Sequence, residues 1–206
     1  HDAYDVALQQ IIGPEEWNYT KLGDVEVLAR RQLSPSDAAT SFAVFGGLKL
    51  PTGTKNVTNG DGARAERTLQ PGTGTTDLIV GVAARRAVGL RDALIGQASV
   101  TSALNKNEDF RPGTRTEISA GWSHAYSQSL GAVLQLNLRH RQHDSGDQAE
   151  PDNSGFTTLA LSPGVTFATG SASTVYAYLQ LPVYQKVNGI QLVPRNALAL
   201  GWTTDF

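Results

Sequence analysis

The chain has 206 residues, 17 Lys+Arg against 19 Asp+Glu, a formal net charge of -2 and no cysteine. Balanced charge without a basic patch of interleaved aromatics points away from nucleic acid, and the lack of cysteine excludes disulfides, thiolate metal sites and cysteine nucleophiles. No apolar run approaches the ~20 residues of a membrane helix, while 40% hydrophobic residues, 21 glycines and a mean hydropathy of -0.25 suit a transmembrane β-barrel and a secreted β-sandwich equally.

The chain opens on His1 and holds no methionine. It is therefore read as processed or as a fragment, with no signal peptide to interpret. In "HDAYDVALQQ", Tyr4, Val6 and Leu8 alternate with Asp5, Ala7 and Gln9. A strand and an amphipathic helical turn fit that stretch equally well.

Nine segments of strand character follow: 24–32, 41–50, 76–87, 93–104, 114–126, 131–142, 155–168, 173–184 and 195–206. Most reach or exceed the ~9–11 residues that cross a bilayer at a tilt, whereas soluble strands cluster near five or six. Each alternates, and a two-residue period gives one apolar and one polar face. In 76–87, Leu78, Val80, Val82 and Ala84 oppose Gly81, Ala83 and Arg85. In 131–142, Ala132, Leu134, Leu136 and Leu138 oppose Gln135, Asn137, Arg139 and Arg141. In 155–168, Leu159, Leu161, Pro163, Val165 and Phe167 oppose Thr158, Ala160, Ser162, Gly164 and Thr166. In 173–184, Val175, Ala177, Leu179 and Leu181 oppose Tyr176, Tyr178 and Gln180. Small and polar residues fill the second face, as a wall around hydrated space requires.

The connections alternate in length. Short ones are 33–40, 88–92, 127–130 and 169–172; long, polar ones are 51–75, 105–113, 143–154 and 185–194. Short turns at one end and long loops at the other characterise an outer-membrane barrel, and a Greek-key sandwich has no need to sort its loops so. The expected fold is all-β, an antiparallel up-and-down transmembrane β-barrel of at least nine strands, occupying 1–206 as one domain. Its long loops are placed outside the cell and its C-terminus in the periplasm.

The segment "ALALGWTTDF" ends on Phe206, with Thr204, Trp202, Leu200 and Leu198 on the same parity. Trp202 and Phe206 thus resemble the signal by which barrel-assembly machinery engages a C-terminal strand. Single-chain bacterial barrels carry even strand numbers. Nine is odd, so either the first ten residues form a tenth strand or, as we expect, further strands precede His1.

"GGLKLPTGTKN" followed by "LQPGTGTTDLIVGVA", with "YTKLGDVEVLARRQL", "LSPGVTF" and "YLQLPVYQKVNG", resembles the outer-membrane family of phenol-degradation MetA-pathway proteins over about residues 19–206. The resemblance implies about twelve strands in the complete protein. It also implies a channel or transporter for passive passage of small molecules, hydrophobic or aromatic ones among them. It supplies no catalytic residue and no cofactor.

Within the motif, Pro51 falls where a strand no longer needs its N–H, and Gly53, Gly72 and Gly74 are expected to supply positive φ in a rim turn. "PGTGTTD" is not a phosphate loop, since no Lys-Ser/Thr follows. On the polar parity lie the pore-lining candidates Lys49, Arg85, Glu117, Gln135 and Asn137, then Arg139, Arg141, Tyr176, Tyr178 and Gln180. Glu26 and Arg30 share a parity in their own strand. The charges form either a structural ion-pair lattice or a charge-selecting constriction. Tyr176, Tyr178 and Tyr184 are read as extending one polar face, as an aromatic slide or as filling.

Other constellations are weak. His140 and His143 lie three apart and face opposite sides, so they share no metal. Asp144, Asp147, Glu150, Asp152 and Asn153 are oxygen ligands of the kind calcium takes, but their spacing is not that of an EF-hand. Trp17, Trp122, Trp202, Phe42 and Phe167 are girdle candidates. No Ser–His–acid set converges by spacing, and no enzyme is expected. The expected partners are the lipid bilayer, the assembly machinery and a small-molecule solute. A scaffolding barrel with partner subunits and no transport of its own is the alternative.

Overall fold

The computed structural model describes residues 2–5, 10–14, 18–35, 38–170, 173–191, 193 and 195–204. Strands β1 (Asp2–Asp5) and β2 (Gln10–Pro14) pair only with each other, as a two-stranded antiparallel ladder. The remaining strands are β3 (Val25–Gln32), β4 (Thr40–Leu50), β5 (Asp77–Val88), β6 (Asp92–Ala103) and β7 (Arg115–Ala125), followed by β8 (Leu130–Arg141), β9 (Phe156–Ala168), β10 (Ser173–Val187) and β11 (Ala197–Thr204). They form one antiparallel sheet in strict chain order, with β3 and β11 at its edges. All nine predicted strands are present, with ends displaced by at most three residues. Within the first ten residues, open between strand and helical turn in the sequence, Asp2–Asp5 is strand and pairs with β2 rather than joining this sheet as a tenth member.

The sheet is a single layer, not the two facing layers of a sandwich, and it curls into a half-barrel. Four strand spacings would hold β3 and β7 about 19 Å apart in a flat sheet. Yet Arg115 on β7 reaches Glu26 on β3 with an N–O distance of 3.7 Å across the concave side. The meander sorts its connections as the alternating lengths predict. The connections that follow β3, β5, β7 and β9 lie at one end, and those that follow β4, β6, β8 and β10 at the other.

The apolar parity lies on the convex face and is open. Leu134 is 42% exposed, Leu136 44%, Val82 55% and Val165 54%. No second layer covers them among the described residues. The concave face carries the small and polar parity, with Ala43, Ile79, Ala93, Ala103 and Val133 as its buried apolar members. This inverts the usual arrangement, in which the larger apolar side chains are inside.

Glycines on the concave face make room for aromatics on the next strand. A Cβ at Gly81 would fall inside the Phe45 ring, one at Gly164 inside the Tyr178 ring, and one at Gly201 inside the Tyr176 ring. Those rings therefore lie against the wall instead of filling the interior.

Two expectations from the sequence need correction. A β-bulge at Val183 places Tyr184 opposite Leu159 of the convex face and Gln185 opposite Thr158 of the concave one. The extra residue reverses parity, so Tyr184 faces outward and does not continue the row of Tyr176 and Tyr178. In the rim motif only Gly74 has positive φ, at 73°. Gly53 and Gly72 are required for close approach: a Cβ on Gly72 would come within 2.6 Å of the Gly53 carbonyl carbon.

Candidate functional site

Chemistry on this chain gathers on the concave wall and on the long-loop rim above it. Alternation fixes which side chains face inward, and hairpin register fixes their neighbours. One row runs Ser99, Glu117, Arg139, Thr158, Gln185 across β6 to β10. The next runs Gln97, Ser119, Asn137, Ala160, Pro182. Asn137 Nδ2 donates to Ser162 Oγ at 2.8 Å, and Ser162 is buried. A polar recess of about 270 Å³ is bounded by Glu117, Asn137, Arg139, Gln180 and Gln185. A larger one, about 370 Å³, lies toward the short turns between Arg30, Arg85, Gln97 and Gln135. Tyr176 and Tyr178 stand side by side with ring centroids 5.5 Å apart.

The inward charges pair where geometry allows. Arg139 Nε donates to Glu117 Oε1 at 2.7 Å, and Arg115 Nε lies 3.8 Å from the other oxygen of the same carboxylate. Arg141 sits directly opposite Arg115 in register. Like charges there would repel, and each turns to a different acid: Arg115 to Glu26 and Glu117, Arg141 to Asp144 Oδ1 at 2.6 Å. Arg139, Arg141 and Glu117 thus belong to an ion-pair lattice in the long-loop half. Arg85 lies outside it.

Lys49 has the inward parity, but its ammonium is committed. It lies 2.7 Å from Asp77 Oδ2 and 3.4 Å from Asp24 Oδ2, and it donates to Thr73 Oγ1. Thr75 Oγ1 donates to Asp77 Oδ1 at 2.7 Å, and the backbone N–H groups of Gly53 and Thr73 donate to the two Asp24 oxygens at 2.9 Å each. Lys49, Thr75 and Asp77 are buried. Burial pushes the Asp24 carboxyl up; the hydrogen bonds from Thr73 and Gly53, together with the Lys49 charge, outweigh it and hold the carboxyl below its ordinary value. This knot ties β3, β4 and β5 to the first long loop, and its acidic members were missed by sequence reading.

The long loops are sewn together along the rim. Arg67 Nη2 donates to Asn107 O at 3.2 Å and Arg64 Nη2 to Glu108 Oε2 at 2.8 Å, joining loop 51–76 to 104–114. The Arg67 guanidinium also lies 4.8 Å over the buried Phe110 ring. Arg111 and Ser145 form a β-bridge, and Gly113 N–H donates to Asp144 Oδ1 at 2.7 Å, joining 104–114 to 142–155. Asn188 Nδ2 donates to the carbonyls of Ser154 and Gly155, joining the last pair. The hydrogen bond from Arg64, with the charges of Arg64, Arg67 and Lys55, holds the Glu108 carboxyl below its usual range against the opposing effect of burial.

The acidic loop does not gather its carboxylates. Asp144 turns inward to Arg141 and Gly113, while Glu150 accepts from Asn153 at 3.1 Å. No group of three metal-ligating side chains converges among the described residues. His140 faces the Thr157 hydroxyl and His143 the Pro151 carbonyl.

On the convex side, Phe42, Trp122, Phe167 and Trp202 all lie near the short-turn end and are exposed. Trp122 Nε1 donates to Asp92 Oδ1 at 2.9 Å, and His124 and Tyr126 continue the same aromatic row. Trp17 and Phe206 lie outside the described residues. No protein-family model and no curated protein matches the chain.

Proposed function

We propose that this chain is part of an outer-membrane β-barrel that lets small molecules, hydrophobic or aromatic ones among them, pass through its interior by diffusion. The observation that carries the reading is inverted polarity: a convex band of open Leu, Val and Ile, and a concave wall of Gly, Ser, Gln, Asn and paired charges. The band supports lipid contact by its height. Leu130 to Leu138 spans about 20 Å for eight residues at ~3.3 Å each and a ~40° tilt. Its lower border is the row of Trp and Phe, rings suited to a headgroup layer. The sorted loops support an orientation with the short turns periplasmic and the sewn rim outside. The resemblance of the rim motifs to the phenol-degradation family supports a transport role.

The test is reconstitution of the full chain. Folded protein, identified by heat-modifiable migration on a gel, is placed in planar bilayers and in liposomes. Stepwise conductance and solute-driven swelling are expected. Folded protein in lipid that carries neither current nor solute would favour the scaffolding role instead.

A further inference from the structure

The concave wall is segregated by charge. Its inward carboxylates, Glu26, Asp77 and Glu117, all lie in the long-loop half, and each faces a cation: Arg115, Lys49 or Arg139. In the short-turn half the described strands offer no inward carboxylate. Asp92, the acid at that end, faces outward to Trp122 and His124. Yet two inward arginines are there, Arg30 on β3 and Arg85 on β5, both exposed and with no ion pair among the described residues. They border the same recess of about 370 Å³, within the range of small-molecule sites. Gln97 and Gln135 border it too, and Ala83 and Ile95 supply apolar surface.

A guanidinium offers planar paired donors that match a carboxylate. Two of them with no ion pair among the described residues, bordering one concavity, raise the local concentration of anions. The neighbouring carboxamides can donate to the same oxygens, and the methyl groups of Ala83 and Ile95 favour an apolar body over a bare ion. We propose that the Arg30–Arg85 recess is a binding site for a small organic monocarboxylate, with the carboxylate between the two guanidiniums and its apolar part against Ala83 and Ile95. This names a solute class for the transport reading, and the site's existence is tested by binding rather than by flux.

The experiment is calorimetric titration of the full chain, folded in detergent, with benzoate, benzamide, benzylammonium, acetate and inorganic phosphate in turn. Benzoate is expected to bind at least tenfold more tightly than benzamide, its uncharged shape-mate, and more tightly than acetate, with no binding of benzylammonium. Arg85→Gln is expected to weaken benzoate about tenfold and Arg30→Gln/Arg85→Gln to abolish the preference over benzamide. Arg86→Gln, on the convex face, should leave it unchanged. Equal binding of benzoate and benzamide, or a preference for phosphate or acetate over benzoate, overturns the proposal without needing any variant. If benzoate discriminates but reconstituted protein is silent, the transport reading fails and the site stands. If current flows with no such discrimination, the reverse holds.

Discussion

Lys49 separates two carboxylates that would otherwise repel each other in a site nearly closed to water. Removing one partner of a buried ion pair costs about 3–5 kcal/mol, because the remaining charge is stranded. Lys49→Met is therefore expected to destabilise the folded protein by that order in urea titrations. Lys49→Met/Asp24→Asn/Asp77→Asn should recover much of it. Asp24 adds a pH dependence. Its carboxyl is depressed in the folded state, so its contribution is present above the ordinary value near 3.8 and is lost as pH falls through the lower folded value. Proteolytic nicking of loop 51–76 should rise as pH drops below about 4, and Asp24→Asn should flatten that rise. At this scale sequence was a partial guide. Lys49 was legible as inward by alternation, but its commitment to Asp77 depends on a register across a 26-residue loop (51–76), which local patterning does not encode.

Strands were the most legible elements, since a two-residue period persists through all but one strand of the large sheet and is independent of what lies on either side. β10 is the instructive exception. Its alternation is regular up to Pro182, then one residue too many lets Tyr184 and Gln185 exchange faces. Nothing in "LPVYQKV" announces the bulge, because Val183 suits a strand as well as its neighbours do. Removal of Val183 restores a continuous ladder and is expected to leave folding intact by heat-modifiable migration. Removal of Val175, in the regular part of the same strand, turns one stretch inside out and should prevent it. The long loops misled in another way. Their polarity suggested solvated chain, yet Asp144, Phe110 and Arg67 are anchors between loops, and such contacts join residues far apart in sequence.

For the whole molecule, the decisive quantity is the solvent of the convex face. Leu136 stands in mid-band and is 44% exposed. In water, Leu136→Arg at an open position would shift stability by less than about 0.5 kcal/mol. At the middle of a bilayer the same change costs about 2–4 kcal/mol. Unfolding of the variant in lipid vesicles is expected to show the larger figure, and a value near zero would count against membrane insertion. Among the described residues β3 and β11 have no further strand on their outer sides, and exposed edges invite strand pairing.

By itself the sequence determined the nine strands of the large sheet, the loop sorting and the two faces, because periodicity and turn composition are properties of neighbours along the chain. Curvature, the Arg115–Glu26 contact across the interior, the Lys49 knot and the recess that Arg30 and Arg85 share were decided only by the tertiary structure. Each depends on register and curl, which bring together residues whose separation along the chain carries no record of their distance in space.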